Sequence, residues 1–419
     1  MERFGVRRGV YARHRLDLSS GTVFFGLGSS LLPLRRGRLE SEVLGLCGLA
    51  DDGLVCHSVR SGWDLWLGVQ GFRAGDEVLV SAITHPDMVR IIEGHGLRAV
   101  PVDIEPQTLA PLPSTLEAAL TPRTRVVLVA YLFGGRMDLD VIARFAREHG
   151  LILVEDCAQA FVGPEKVGDD AADVSMYSFG TLKSSTALGG ALLRVRDHEA
   201  LRQMRREQAR YPVQRRAAYA KKLLVSLGLV AVTRPRPYGF LARTCAWAGA
   251  DLDALVNRAV RSFPPGEPER TFYRRLWQRP CGPLLAVLTR RLRSFDRPRL
   301  EERAAKGERF ANELRTAGMH PGGRSLRRTH WLFPVVVRDP GALILDLRTR
   351  GLDASRATSS IAVVDAPAGH SPPVHARRIM SGIVFLPLHD GLSSRALSAM
   401  VGLVKDRAAG EAAEMATMP

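Results

Sequence analysis

"TRVVLVAYLFGGRMDLDVIARFAREHGLILVED", residues 124–156, is the stretch on which the fold turns. Residues 124–132 form an apolar, β-branched run. Residues 138–150 place apolar side chains at helical spacing and stop at a glycine. "LILVED" (151–156) follows at once as a second apolar run. Strand, amphipathic helix and strand in immediate succession predict a parallel pair with a helical crossover.

Working outward, the pattern repeats. "EVLVSAI" (77–83) reads as a strand, "PDMVRIIEGHG" (86–96) as a helix and "RAVPVDI" (98–104) as a strand. Continuous apolar strands alternating with amphipathic helices imply an α/β fold, with a mostly parallel sheet covered on both faces. Ligands in such sheets bind at the carboxyl ends of the strands.

The chain has 419 residues, 46% hydrophobic and 24% charged, with a formal net charge of +16. That length predicts more than one domain. The charge favours acidic partners such as phosphorylated substrates, anionic membrane or nucleic acid, and a general preference for arginine gives the same surplus without any partner. No DNA-reading motif accompanies it, so nucleic acid is not expected. Cys47, Cys56, Cys157, Cys245 and Cys281 are odd in number and form no CxxC pair. This excludes a zinc framework or disulfide scaffold and fits a reducing compartment. With no signal-peptide pattern and no run long enough to span a bilayer, a cytoplasmic protein is expected.

Four regions are expected: an N-terminal arm (1–45), a large domain (46–204), a basic segment rich in Arg, Trp and Pro (205–300), and a smaller α+β domain (301–419). The last opens with the helical pattern "EERAAKGERFANELRTAG" (301–318) and contains "THWLFPVVV" (329–337) and "IVFLPLH" (383–389).

Chemistry concentrates in two places. Asp156 ends the strand "LILVED", at the ligand edge of the expected sheet. Lys183 lies in "SMYSFGTLKSSTALGGALL" (175–193), one ammonium among small, hydroxylated and glycine residues. Separately, each has an ordinary explanation as a helix cap or a solvated loop lysine. Together they fit pyridoxal phosphate, whose aldehyde needs a lysine and whose ring nitrogen needs a carboxylate. A desolvated lysine has a lowered pKa, which suits that attachment and proton transfer.

"VEDCAQAF" followed by "DVSMYSFGTLKSSTALGGALL" closely resembles the DegT/StrS-type aminotransferases of the aspartate aminotransferase superfamily. "RSGWDLWLGVQGFRAGDEVLVSAITHPDM", "AVPVDIEPQTLAP" and "IVFLPLHDGLS" agree with that family's order and spacing. The likeness is good over 54–195 and loose over 300–405. It implies a fold-type I, pyridoxal-phosphate-dependent aminotransferase, commonly a homodimer, moving an amino group from glutamate to the keto group of a sugar nucleotide or related polar carbonyl. Lys183 would carry the cofactor as a Schiff base and move protons, and Asp156 would pair with the ring nitrogen. Gln159 would lie near the ring's phenolic oxygen. Ser178 would bind the phosphate with the backbone amides of Ser61, Gly62 and Trp63. His85 occupies the position of the family's ring-stacking aromatic; a purely polar contact or a structural histidine is an equal alternative. Trp63 and Trp66, three apart, read as core.

Two departures stand out. The family's "GFNYR"-like segment, whose Asn reaches the partner's cofactor, is missing, and Trp63 replaces the usual Thr. The basic segment in its place could extend a dimer interface, lie on an anionic membrane to reach a lipid-linked acceptor, or clamp a diphosphate. A non-catalytic or regulatory protein on the same fold is the rival from another class.

Overall fold

A computed structural model describes residues 9–260, 266–314, 320–356 and 360–417. Residues 1–8 of the expected arm and 315–318 of the helical pattern lie outside them.

In chain order the strands are β1 (Gly53–Cys56), β2 (Glu77–Ser81), β3 (Ile83–Thr84), β4 (Arg98–Val102), β5 (Thr124–Ala130), β6 (Gly135–Arg136), β7 (Ile152–Asp156), β8 (Val174–Ser178), β9 (Ala191–Val195), β10 (Arg327–Arg328), β11 (Phe333–Val336), β12 (Ala362–Val363) and β13 (Ile383–Leu386). Seven of them form one sheet in the order β1-β9-β8-β7-β5-β2-β4. The pairs β2–β4, β2–β5, β5–β7 and β7–β8 are parallel, while β9 runs antiparallel to both β8 and β1. The helix Asp140–Glu148 makes the β5–β7 crossover and buries Ile142, Ala143, Phe145 and Ala146, the face read from the sequence.

Apolar cores lie on the two faces of this sheet. One gathers Leu79, Val127, Tyr177, Phe179 and Leu192 with the helix Gly282–Arg293. The other gathers Trp63, Trp66, Val80, Leu128 and Leu193 with the helix Val59–Val69. A third core surrounds the antiparallel pair β11–β13 and includes Phe310, Leu343 and Val401. All five cysteines are buried and free.

The basic segment is helical over Arg216–Val232, Pro235–Trp247, Leu252–Val260, Glu269–Leu276 and Gly282–Arg293. It packs on the same chain's arm. Val10 and Ala12 share a small core with Tyr238, Ala242 and Cys245. A polar network reinforces that contact: the Arg13 Nε donates to Asp353 Oδ2 at 2.7 Å, and Tyr238 donates to the same oxygen at 2.6 Å. Arg348 and Arg13 both pair with Asp253. One buried carboxylate thus joins the arm, the basic segment and the region carrying β11–β13.

The helix Ser20–Leu31 packs beside Arg216–Val232, with Gly26 close enough that a Cβ would meet Leu223 at 2.9 Å. Its outward side carries Phe24, Phe25 and Leu31, and the neighbouring helix adds Leu224 and Val225, all exposed. Surface helices ordinarily turn charge outward. No helix among the described residues is long and apolar enough to cross a membrane.

Candidate active site

Asp156 is the last residue of β7, so the parallel register delivers its carboxylate to the carboxyl edge of the sheet. Its Oδ1 accepts from the Ala158 N–H at 2.9 Å. Burial raises its pKa, and the Ala158 N–H, Lys183 and Arg60 pull it back down. Ser178 ends the neighbouring β8, and the chain then turns tightly through Lys183 before β9.

The composition of that turn follows from its geometry. Ser185 and Leu188 adopt positive φ, as does Gly190. The Thr186 hydroxyl donates to Gly180 O at 2.7 Å and accepts from the Leu188 N–H at 2.9 Å. The Ser185 N–H donates to Asp17 Oδ2 at 2.6 Å, and Tyr219 of the basic segment donates to Ala187 O at 2.9 Å. Small and hydroxylated residues therefore supply the hydrogen bonds that a turn away from the ladders must find elsewhere.

Trp331 holds the lysine itself. Its indole N–H donates to Leu182 O at 2.8 Å, and the Lys183 Nζ lies 4.2 Å from its ring centroid. Burial lowers the Lys183 pKa to about 8, with Asp156 opposing the shift and Arg60 adding to it. Near neutral pH an appreciable fraction is therefore the neutral amine, the nucleophilic form.

The helix Val59–Val69 points its N-terminus at this region. Ser58 caps it, its Oγ accepting from the Ser61 N–H at 3.1 Å, while the Gly62 N–H donates to Ser58 O at 3.0 Å. Both amides expected at the phosphate thus stand in the first turn of this helix. The Trp63 side chain faces the core. It is buried against Trp66, with centroids 5.3 Å apart and planes 11° apart, and its indole donates to Met88 O at 3.3 Å. Gly62 is needed for packing, since a Cβ there would meet Leu193 at 2.4 Å.

Gln159 accepts from the Phe133 N–H at 2.7 Å, tying the loop after β7 to the loop after β5. Ser178 Oγ accepts from the Gly180 N–H at 3.3 Å. His85 caps the helix Pro86–Gly94, its Nδ1 accepting from the Asp87 N–H at 3.1 Å. Its ring stays partly exposed.

Three cationic or aromatic side chains escaped the sequence reading. Arg60, next to the recognised Ser61, pairs with Asp87 at 2.6 Å and is close enough to shift Asp156, Lys183 and Lys222. Lys222 is lowered to about 8 by burial and by Arg60. Trp331 reaches the turn from 149 positions away. Buried polar atoms without a hydrogen-bond partner among the described residues include His57 Nδ1, Thr84 Oγ1 and Thr181 Oγ1. A cationic surplus with unsatisfied polar atoms beside an acid and a lysine is a setting that a polar, anionic group would complete.

Residues 35–225 match the model of the DegT/DnrJ/EryC1/StrS aminotransferase family. The match covers somewhat less than half of the chain and takes in the strands and turns that carry Asp156 and Lys183. A UDP-N-acetyl-3-dehydro-alpha-D-glucosamine 3-aminotransferase of Acidithiobacillus ferrooxidans is 34% identical over 171 residues, 40% of this chain and 46% of that protein. The match thus spans less than half of that curated relative. Over the whole chain the fold matches the aminotransferase TlmJ of Streptoalloteichus hindustanus, with TM-score 0.66 and 22% identity, covering 96% of this chain and 100% of that one. NtdA of Bacillus subtilis, solved with bound cofactor PMP, matches with TM-score 0.65 and 18% identity, covering 93% and 82%. The α/β fold of these solved aminotransferases is therefore shared across nearly the full chain.

Proposed function

We propose that this protein is a pyridoxal-phosphate-dependent aminotransferase, moving an amino group from an amino-acid donor to the keto group of a sugar nucleotide or related polar carbonyl. The observation that carries the proposal is the pairing of Asp156, at the carboxyl edge of the sheet, with a lysine whose pKa is lowered to about 8. The residues present fit the cofactor. Lys183 would meet its aldehyde and Asp156 its ring nitrogen, with Gln159 after β7 and Ser178 at the end of β8 bordering the same edge. Arg60 and Lys222 would add positive charge for its phosphate to the amides of Ser61, Gly62 and Trp63 at the helix N-terminus. When bound, the cofactor supplies an electron sink for carbanion chemistry.

The chain's own residues divide the remaining work. Burial raises the Asp156 pKa while the Ala158 N–H, Lys183 and Arg60 oppose the rise, and as a carboxylate it would hold a proton on the ring nitrogen it faces. Lys183 Nζ is neutral often enough near pH 8 to accept a proton, and its ammonium returns one. Trp331 fixes the turn and limits where that nitrogen travels. His85 flanks the site as a helix cap with a partly exposed ring, a placement that supports a polar edge more than a stacking platform.

The partners follow as part of the same proposal: a small-molecule amino donor, a carbonyl acceptor, and a second copy of this chain on the outward face of Phe24, Phe25 and Leu224. The continuity of that apolar face supports the second copy. A membrane contact there is the competing outcome. Association measured by light scattering, and flotation on anionic vesicles, separate the two.

The deciding experiment is the visible spectrum of protein incubated with pyridoxal phosphate, before and after borohydride. A reducible band is expected in wild type and not in Lys183→Ala, with transfer of labelled nitrogen from glutamate to a carbonyl acceptor. Cofactor uptake without transfer from any amino acid would move the protein to the regulatory reading; no band at all would end the cofactor assignment.

A further inference from the structure

A second groove runs along the helix Val59–Val69, and its lining shares no residue with that of the cleft holding Lys183. Its volume is about 830 Å³, the size of a small-molecule site. Gly68, Gly71 and Gly94 line it without side chains, and Tyr211, Tyr273 and Trp277 bring aromatic rings to it. The rings of Tyr273 and Trp277 stand 5.6 Å apart with planes at 36°, and Trp277 is half exposed.

Asp64, on that helix, lines the same space and is buried. Its Oδ2 accepts from the Trp277 indole N–H at 2.9 Å, and His95 Nε2 lies 3.0 Å from its Oδ1. No lysine or arginine among the described residues pairs with it. A buried carboxylate so placed carries a desolvation cost that a cation from outside the chain would offset. Burial raises the pKa of Tyr211 and of Tyr273, and Asp64 adds to both rises, so its charge reaches both rings. The Tyr273 hydroxyl is buried without a hydrogen-bond partner among the described residues, in the space that a Cβ on Gly94 would fill. The adjacent Phe272 ring already holds a cation, Arg90 at 4.1 Å from its centroid. The three rings of the groove hold none from the described residues.

We infer that this groove is a binding site for a small organic ammonium ion, held between the rings of Tyr211, Tyr273 and Trp277 and the carboxylate of Asp64. Aromatic faces attract a cation through the ring quadrupole, and a desolvated setting strengthens that attraction. The Tyr273 oxygen accepts an N–H from the ligand. Other ligand classes fit less well. A neutral apolar molecule leaves the Asp64 charge and the Tyr273 hydroxyl unanswered. An anion meets Asp64 and Glu207, with Arg206 on the exposed rim in its favour. Because the occupant touches no residue of the Lys183 cleft, the site stands whether or not the cofactor assignment does.

The test is calorimetric binding to the full chain after incubation with pyridoxal phosphate. The probe is dimethylbenzylammonium, a tertiary amine that carries one N–H and cannot condense with an aldehyde. Benzyl alcohol is its neutral counterpart and benzoate its anionic one. The ammonium is expected to bind at least tenfold more tightly than either, and Trp277→Ala and Asp64→Asn should each weaken it at least tenfold. Tyr273→Phe removes only a hydroxyl that has no partner among the described residues, so it keeps the test open should the other variants disturb the helix. It should weaken the ammonium severalfold and leave benzyl alcohol unchanged. Arg206→Gln should tighten the ammonium, and Lys183→Ala should leave its affinity as in wild type. Equal affinity for the ammonium and benzyl alcohol overturns the inference and leaves a merely apolar groove. Tighter benzoate that Arg206→Gln abolishes overturns it in favour of an anion site. Ammonium binding that survives both Trp277→Ala and Tyr273→Phe, or that Lys183→Ala removes, places the ligand elsewhere and overturns it too. So does a wild type that binds none of the three probes.

Discussion

Burial moves the Lys183 pKa to about 8, against 10.5 for a lysine in an unfolded chain. Two consequences can be measured. The rate of borohydride-fixed cofactor incorporation should rise with pH with a midpoint near 8, more than two units below that of an exposed lysine. Stability should also respond. Between about pH 8 and 10.5 the unfolded chain binds a proton here that the native chain does not, so this group makes the native state more stable as pH rises through that window. Below pH 8 the buried ammonium is a burden. Lys183→Met should therefore raise the melting temperature relative to wild type at pH 7, and that advantage should vanish by pH 10. In turnover, loss of the group that moves the proton should cost at least 10²–10⁴-fold.

At the scale of elements, the helix Val59–Val69 has two separable requirements. Ser58→Ala removes the side-chain acceptor of the Ser61 N–H and should cost about 1 kcal/mol in denaturant unfolding. Gly62→Ala forces a methyl against Leu193, with a cost of about 1–3 kcal/mol from overpacking. The same helix shows what the sequence could and could not reveal. The parallel strands and the helix after β5 were legible because their apolar residues repeat at a period that only one secondary structure satisfies. Asp156 was legible because it ends an apolar strand, and Lys183 because it is one ammonium among small, hydroxylated and glycine residues. The Trp63–Trp66 pair was legible as core, since a spacing of three puts both indoles on one helix face. Arg60 sat unread inside a quoted motif, and Trp331 meets Lys183 only through the tertiary fold.

For the whole molecule, Asp353 is the single buried carboxylate shared by Arg13, Tyr238 and Arg348. Asp353→Ala strands buried guanidinium groups and should destabilise by about 3–5 kcal/mol, read by calorimetry or denaturant unfolding. The arm and the basic segment should then become susceptible to proteolysis before the sheet does. The outward apolar face makes a different prediction. Phe24→Glu places a charge on a side chain that the described residues leave 61% exposed, so the isolated fold should tolerate it within about 0.5 kcal/mol while the copy number measured by light scattering falls.

The ammonium lying 4.2 Å from the Trp331 ring has an optical consequence as well. An indole whose face is occupied by a positive charge emits differently from one whose neighbour has become neutral or carries an absorbing chromophore. The chain has five tryptophans, and Trp63 and Trp66 are sealed in the core. Trp331 is thus a built-in fluorescence reporter, and the emission difference between wild type and Trp331→Phe should follow occupancy of Lys183 in real time, without any added dye.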